Sequence, residues 1–180
     1  MNIMFLADLH GSVYYTNEVL RIFKESAADY LWILGDILYS GGWAEPRDYN
    51  SRETARLLNQ NATQIMAVRG NCDCDADINT LSFPAGATYS YIVLGGRRFF
   101  LTHGHLHNDS NISYLKKGDV FLYGHTHRIQ AENKDGVFVV NPGSISLPKG
   151  SSHHSYGLLQ NNRILIKSVD GTVLEALDLS

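Results

Sequence analysis

Three short apolar runs in the first half of the chain alternate with stretches of helical periodicity. The runs cover residues 3–7, 30–34 and 65–68, and a helix-like segment at 52–60 precedes the last of them. Parallel strands need long crossover connections, which are commonly helices. The alternation therefore predicts consecutive βα units that share a parallel sheet.

The second half of the chain has a different pattern, in which short β-type runs are joined by tight turns. The pair Gly95-Gly96 separates the runs 89–94 and 97–102, as in a two-residue hairpin. Further strands are predicted at 120–123, 137–140, 156–159, 163–169 and 173–177. In a chain of 180 residues, this arrangement predicts one α/β domain, 1–180, with two packed sheets and helices outside them.

Composition excludes several classes of protein. The net charge is −3, from 15 basic and 18 acidic residues, so no stable nucleic-acid partner is expected. The sequence has no basic leader and no apolar run of 18 residues, so neither secretion nor a membrane partner is expected. Cys72 and Cys74 are too few and too close for a disulfide framework, which favours a cytoplasmic location.

Polar side chains follow five of the predicted strands, close to glycines that allow sharp turns. Ligands of open α/β sheets gather at the carboxyl ends of strands, so these side chains are expected to converge. Alone, each has an ordinary explanation, such as a helix cap for Asp8, a turn for Asp36 or an Asx-turn for Asn71. The candidate donors are Asp8, His10, Asp36, Asn71, His103, His125 and His127.

The number of these donors indicates two metal ions rather than one. Three oxygen and four nitrogen donors exceed the needs of one closed ion but suit two open ions that share a carboxylate. Such a pair would attract phosphate despite the acidic balance of the chain. The donor types alone suit manganese, zinc, iron or cobalt.

The order and spacing of the motifs resemble those of the calcineurin-like metallophosphoesterases. The matching segments are Asp8-Leu9-His10, Gly35-Asp36, Gly70-Asn71-Cys72-Asp73, His103-Gly104-His105 and Gly124-His125-Thr126-His127. The later run Asn141-Pro142-Gly143-Ser144 and the short chain are similar to the small YfcE-type phosphodiesterase branch. The resemblance implies a four-layer α/β/β/α sandwich.

The resemblance also implies roles for individual residues. Asp8, His10 and His127 would hold one metal, Asn71, His103 and His125 the other, and Asp36 would bridge both. A hydroxide shared by two divalent ions, with manganese expected first, would attack a small or activated phosphodiester. The expected catalytic residues are Asp36, Asn71, Cys72 and His103. The expected substrate-binding residues are Arg69, Asn71, Cys72 and His105.

Cys72 departs from the pattern of many relatives, which carry histidine directly after the motif asparagine. A thiol is a weaker acid than an imidazolium at neutral pH, so we expect a preference for good leaving groups. Whether Cys72 or Asp73 donates a proton is left open by the sequence.

Other functions fit parts of the same pattern. A phosphomonoesterase or a nuclease would use the same two-metal chemistry. A non-catalytic scaffold, like the retromer subunit of this fold, is the alternative from another class, but here all seven ligand positions hold competent donors. Relatives often assemble through apolar surface, so a homo-oligomer is a further expectation. His107, His153 and His154 are expected to be solvated or ordinary loop residues.

Overall fold

The computed structural model describes residues 1–39, 41–42, 44–150 and 153–180. Ser40 and Trp43, in a segment expected to form a surface loop, lie outside the described residues, as do Ser151 and Ser152.

The first sheet has six strands, of which three neighbours are parallel. Its spatial order is β11-β10-β9-β1-β2-β3. The parallel strands are β1 (Ile3–Leu6), β2 (Tyr30–Ile33) and β3 (Ile65–Ala67). The antiparallel strands are β9 (Ser155–Gln160), β10 (Arg163–Ser168) and β11 (Val173–Asp178).

The second sheet has five strands in the order β4-β5-β6-β8-β7. Strand β6 (Val120–Leu122) lies parallel to both of its neighbours, β5 (Arg97–Thr102) and β8 (Val137–Pro142). The edge strands β4 (Tyr89–Leu94) and β7 (Ile129–Lys134) are antiparallel to their partners. The predicted hairpin at Gly95-Gly96 is confirmed, and both glycines have the positive φ that this turn requires.

Helices cover the outer face of the first sheet. Helix α1 (Val13–Glu25) begins at Ser12, whose hydroxyl accepts the Tyr15 N–H, and helix α2 (Ser51–Asn59) begins at Asn50. A third, short helix α3 spans Asp75–Ile78. No helix in the described part of the chain is long and apolar enough to cross a bilayer.

Three apolar layers hold the molecule together. One lies between the helices and the first sheet, and one lies between the sheets around Phe5, Trp32 and Phe99. The third covers the outer face of the second sheet, where Ile112 and Leu115 pack over it. The predicted two-sheet α/β sandwich is thus confirmed, but its fourth layer is the non-helical segment 103–119.

Strand β7 and helix α3 were not predicted. Strand β7 has the sequence IQAENK and lies at the edge of its sheet, where its side chains stay partly exposed. Because few of these side chains are apolar, the strand lacks the hydrophobic pattern from which the other strands were predicted. Helix α3 has only four residues, too few to show a helical period. The ends of the other strands agree with the predicted ones or differ from them by at most two residues.

Candidate metal centre

The predicted donors lie on loops at the carboxyl ends of strands from both sheets. The loops after β1 and β2 run side by side, because Asp8 N–H donates to Gly35 (3.1 Å) and His10 N–H to Asp36 (2.9 Å). In the second sheet, Gly124 N–H donates to the His103 carbonyl at 2.9 Å. These hydrogen bonds hold the loops together through their backbones alone.

Most of the donors have an unusual backbone conformation. Five of the seven have φ between +51° and +66°, a left-handed region that non-glycine residues seldom adopt. They are Asp8, His10, Asp36, His125 and His127. Asp8 and His10 therefore reach the site through left-handed turns and not through strand alternation. Backbone strain of this kind is concentrated at functional sites.

Asp8 lies at the middle of a group of histidines. Its side chain is fully buried, and the Oδ1 atom has no hydrogen-bond partner among the described residues. The Nε2 atoms of His127, His103 and His10 lie 3.4, 3.9 and 4.0 Å from this oxygen. Its other oxygen, Oδ2, accepts the His125 N–H at 3.1 Å. An unpaired buried carboxylate oxygen facing three imidazole nitrogens fits a cation.

Backbone carbonyls set the orientation of these imidazoles. The Nδ1 atom of His10 bonds to the carbonyl of Tyr39 at 2.7 Å, that of His103 to Leu34 at 2.7 Å, and that of His127 to Leu147 at 2.6 Å. A carbonyl oxygen can accept a hydrogen bond but cannot donate one, so each Nδ1 is the donor and carries a proton. Where the ring is neutral, Nε2 is left as the ligand atom.

Asp36 lies between the two predicted metal positions. Its Oδ2 atom is 3.3 Å from His103 Nε2 and 3.8 Å from His10 Nε2, and its Oδ1 accepts the Cys72 N–H at 2.8 Å. Burial raises the pKa of Asp36, but His103, the Cys72 N–H and His10 together outweigh burial and hold the pKa below its ordinary value. Asp36 is therefore a carboxylate, the form that its predicted bridging role requires.

The second predicted metal position is more open. Asn71 Oδ1 lies 3.0 Å from His103 Nε2, and the rings of His103 and His125 have centroids 5.1 Å apart. Burial lowers the pKa of His103, but Asp36 and Asp8 raise it more, to about 9. His125 is exposed as a residue, but its ring is partly shielded from solvent. This shielding and the nearby His103 lower the pKa of His125.

Cys72 lies at the margin of the centre. Its Sγ atom falls within 4.8 Å of ligand atoms of His10 and Asp36, whereas the Cys74 thiol bonds to Asp77. Burial and the Asp36 carboxylate raise the pKa of Cys72 to about 12, so the thiol stays protonated at neutral pH. The two cysteines do not act as a pair.

The two predicted substrate contacts differ in their surroundings. Arg69 directs its Nε to the Asp73 carbonyl (2.8 Å) and one terminal nitrogen to Asp75 (2.7 Å). His105 has its ring centroid 5.4 Å from that of His103, and its buried Nδ1 has no partner among the described residues. Partial burial and His103 lower the pKa of His105, so its ring is neutral.

Several supporting residues were not identified from the sequence. The Asp73 carboxylate accepts the N–H groups of Asp36 (2.9 Å), Ile37 (2.7 Å) and Gly70 (2.8 Å), and so joins the second and third loops. The hydroxyls of Ser144 and Ser146 both donate to the Asp8 carbonyl. The only sequence feature that pointed to these serines was the run Asn141-Pro142-Gly143-Ser144, which includes Ser144.

The expectation that His154 is solvated is wrong. It is half-buried, its ring stacks on Tyr15, and its Nε2 lies 2.7 Å from the Tyr15 hydroxyl. His153 is exposed, as expected. His107 packs against Tyr89 and Phe100.

The donor set of this centre fits a pair of divalent ions. It offers carboxylate, amide and imidazole ligands at the ends of strands from both sheets. Among the described residues, three compact groups of possible ligands occur, and Asp8, His10 and Asp36 each belong to two of them. Such hard and borderline ligands suit first-row divalent metals. Fold and site together define a metal-dependent phosphoesterase.

The comparison with protein families agrees with this class. The calcineurin-like phosphoesterase superfamily domain matches residues 1–163, and the chain belongs to this family.

Individual members of this family show which proteins the chain is similar to. The chain is 45% identical over 163 residues to phosphodiesterase YfcE of Escherichia coli K12, covering 90% of this chain and 89% of that protein. The solved structure of the E. coli phosphoesterase YfcE matches with a TM-score of 0.97 and 40% identity over all of both chains. Vps29 of Entamoeba histolytica in complex with Zn²⁺ matches with a TM-score of 0.67 over all of both chains, but its 20% identity shows the fold alone.

Proposed function

We propose that this chain hydrolyses small or activated phosphodiesters with two divalent ions, manganese in the first place. The observation that carries the proposal is the buried Asp8 Oδ1, which has no hydrogen-bond partner in the described part of the chain and faces three imidazole nitrogens at 3.4 to 4.0 Å. The name of the 45% identical relative, a phosphodiesterase, supports the substrate class.

The proposed ligand roles divide the site into two halves. Asp8, His10 and His127 hold the first metal. Asn71, His103 and His125 hold the second, and Asp36 bridges the two. The support is the position of Asp36 Oδ2 between His10 and His103. When bound, the ions would lower the pKa of a water between them and stabilise negative charge on the departing oxygen.

The protein's own groups prepare this chemistry. Three carbonyls hold imidazole rings in place, so little reorganisation accompanies binding. His105 presents a neutral ring beside His103, where it can donate a hydrogen bond to a phosphoryl oxygen. Arg69 stays a predicted substrate contact, although two of its donor groups are taken by residues 73 and 75.

Hydrolysis of a chromogenic bis-aryl phosphodiester tests the proposal. Chelation is expected to abolish turnover and Mn²⁺ to restore it. Asp36→Asn is expected to reduce kcat/KM by on the order of 10²-fold, because the bridge between the halves loses its charge. Asp135→Asn, at an exposed turn, is the matched control.

The same assay separates the alternatives. A panel of mono- and diesters, with metal analysis of the protein as purified, distinguishes a phosphodiesterase from a phosphomonoesterase or a nuclease. Full turnover by metal-free protein would defeat the proposal. Turnover restored only by Zn²⁺, Fe²⁺ or Co²⁺ would correct the metal and leave the reaction standing.

We also propose a cytoplasmic homo-oligomer. The free thiols of Cys72 and Cys74 suit a reducing compartment. The exposed side chains of Tyr89, Tyr91 and Val93 lie on edge strand β4, which carries no charged residue to discourage pairing. Light scattering of the purified protein measures the assembly state.

A further inference from the structure

We propose that Tyr15 and His154 form a positioning pair that fixes the first metal position through the 143–150 loop. The inference rests on the proposed two-metal function but concerns residues outside the ligand set. Neither side chain belongs to the motifs that identify the family.

The contact between the two residues is specific. The Tyr15 hydroxyl donates to His154 Nε2 at 2.7 Å, and the rings stack with centroids 4.2 Å apart and an angle of 20°. His154 Nδ1 donates to the Ile145 carbonyl at 3.0 Å. One neutral tautomer of His154 satisfies both bonds, and Tyr15 is only 8% exposed.

The 143–150 loop connects this pair to the first metal position. Directly at the His154 contact, the N–H of Ile145 donates to the Ala7 carbonyl at 3.1 Å. Two residues further on, the Leu147 carbonyl holds Nδ1 of His127 at 2.6 Å. The N–H of Lys149 then donates to the His127 carbonyl at 2.9 Å. The loop therefore contacts both the strand that leads to Asp8 and the backbone and ring of His127.

Tyr15 also connects the pair to the loop that orients His10. Its N–H donates to Ser12 Oγ at 3.2 Å, and that hydroxyl donates to the Arg47 carbonyl at 2.6 Å. His10 lies two residues before Ser12 and bonds to the Tyr39 carbonyl at the other end of the same loop. The pair thus links the segments that orient two ligands of one metal.

Two ligands of the second metal position have separate support. His103 is held by the Leu34 carbonyl at the end of β2, and Asn71 is placed by the turn that follows β3. Among the described residues, neither segment is hydrogen-bonded to Tyr15 or His154. The third ligand, His125, is joined to the first position because its N–H donates to Asp8 Oδ2 at 3.1 Å. Loss of the pair is therefore expected to weaken the first metal more than the second.

Tyr15→Phe and His154→Phe test the proposal, because each keeps an aromatic ring and removes the hydrogen bond. Calorimetric titration of the metal-free variants with Mn²⁺ measures both equivalents. We expect one equivalent to bind about tenfold more weakly, as for other partners that orient metal ligands, and the other to change by much less. The same titration on an Asn71→Ala background identifies the weakened equivalent as the one held by Asp8, His10 and His127.

Amide exchange gives a readout that does not need metal. In metal-free Tyr15→Phe, the Lys149 N–H is expected to exchange faster than in the parent protein, because the 143–150 loop is released. Tyr14→Phe is the matched control, since it removes a hydroxyl from the preceding residue of α1, and that hydroxyl has no hydrogen bond among the described residues.

The possible results separate the two proposals. Unchanged affinities and Lys149 exchange would overturn the positioning pair. So would equal weakening of both equivalents together with a lower thermal midpoint, which would mark a general loss of stability. If the parent protein takes up no metal, the proposed function fails, and Lys149 exchange still decides whether the pair holds the loop.

Discussion

At the level of single residues, Asp8 is the group of the site whose burial is expected to destabilise the fold most. Its carboxylate is shielded from solvent, and its Oδ1 has no hydrogen-bond partner among the described residues. Buried charge without full compensation destabilises a fold, whereas a bound cation would compensate it directly. The Asp8 side chain should therefore lower the free energy of unfolding of the metal-free protein and raise that of the metal-bound protein.

Asp8→Asn tests this change of sign. Without metal, the variant is expected to keep or increase its free energy of unfolding, because a poorly compensated charge is removed. With Mn²⁺, it should lose most of the stabilisation that the parent protein gains. Denaturant unfolding with and without metal measures both values, and Asp135→Asn controls for the loss of one negative charge. An equal loss under both conditions would contradict the interpretation.

Cys72 is expected to limit the range of leaving groups. With its pKa raised to about 12 by burial and Asp36, the thiol is a poor proton donor. Rates for aryl phosphodiesters should therefore fall steeply as the leaving-group pKa rises. Cys72→His should flatten that dependence by supplying a stronger acid, and identical slopes for both proteins would remove the idea.

The sequence predicted the side chains of the site better than their support. Aspartate, asparagine and histidine beside glycine at strand ends are visible as residue types. The groups that orient the imidazoles are the backbone carbonyls of Leu34, Tyr39 and Leu147, which every residue possesses and no sequence pattern reveals. Likewise, nothing in the sequence pairs His154 with Tyr15, 139 positions away.

At the level of elements, the loops after β2 and β3 are fitted closely together. A Cβ atom on Gly70 would lie 2.1 Å from Asp36 Oδ1 and 2.3 Å from the Asp36 nitrogen. Only glycine leaves room for the Asp36 carboxylate where these two loops meet. Asp73 then joins the same two loops through three backbone N–H groups.

Gly70→Ala is expected to displace Asp36 and to cost about 1–3 kcal/mol of stability, as overpacking typically does. Metal affinity should fall with it, because the displaced carboxylate no longer reaches both halves. Chemical denaturation and metal titration measure the two effects. Gly86→Ala is the matched control, since its nearest neighbour would lie 3.9 Å away. A Gly70→Ala variant with parental metal affinity would refute the close fit.

The elements themselves could be predicted where a buried pattern was strong. The strands β1, β2, β5 and β6 carry apolar runs that lead directly to the site. Strand β7 escaped prediction because it pairs through its backbone at a sheet edge while its side chains stay partly in solvent. The order of strands across the two sheets depends on contacts between distant segments, which periodicity does not encode.

At the level of the whole molecule, the candidate metal centre lies where the two sheets meet. Asp8, His10, Asp36 and Asn71 follow strands of the first sheet, and the other three donors follow strands of the second. Bound ions would therefore join the halves of the sandwich in addition to the apolar layer between them. Stability and metal occupancy should be coupled across the entire fold.

Adding Mn²⁺ to the metal-free protein is expected to raise its thermal midpoint. At a free metal concentration 100-fold above Kd, one site contributes about 2.7 kcal/mol, or roughly 5–10 °C for a chain of this size. Calorimetric scans over a range of Mn²⁺ concentrations measure the shift. Hydrogen exchange should slow in strands of both sheets, and protection confined to one sheet would contradict the coupling.

The left-handed backbone at five of the donors has a consequence for how this sequence can change. Each such residue costs on the order of 1 kcal/mol that glycine would not. Laboratory evolution for heat tolerance alone, with hydrolysis left unselected, should therefore replace the solvent-exposed His125 by glycine early, whereas the buried donors would leave cavities. Retention of His125 in such a population would indicate that selection still acts on chemistry.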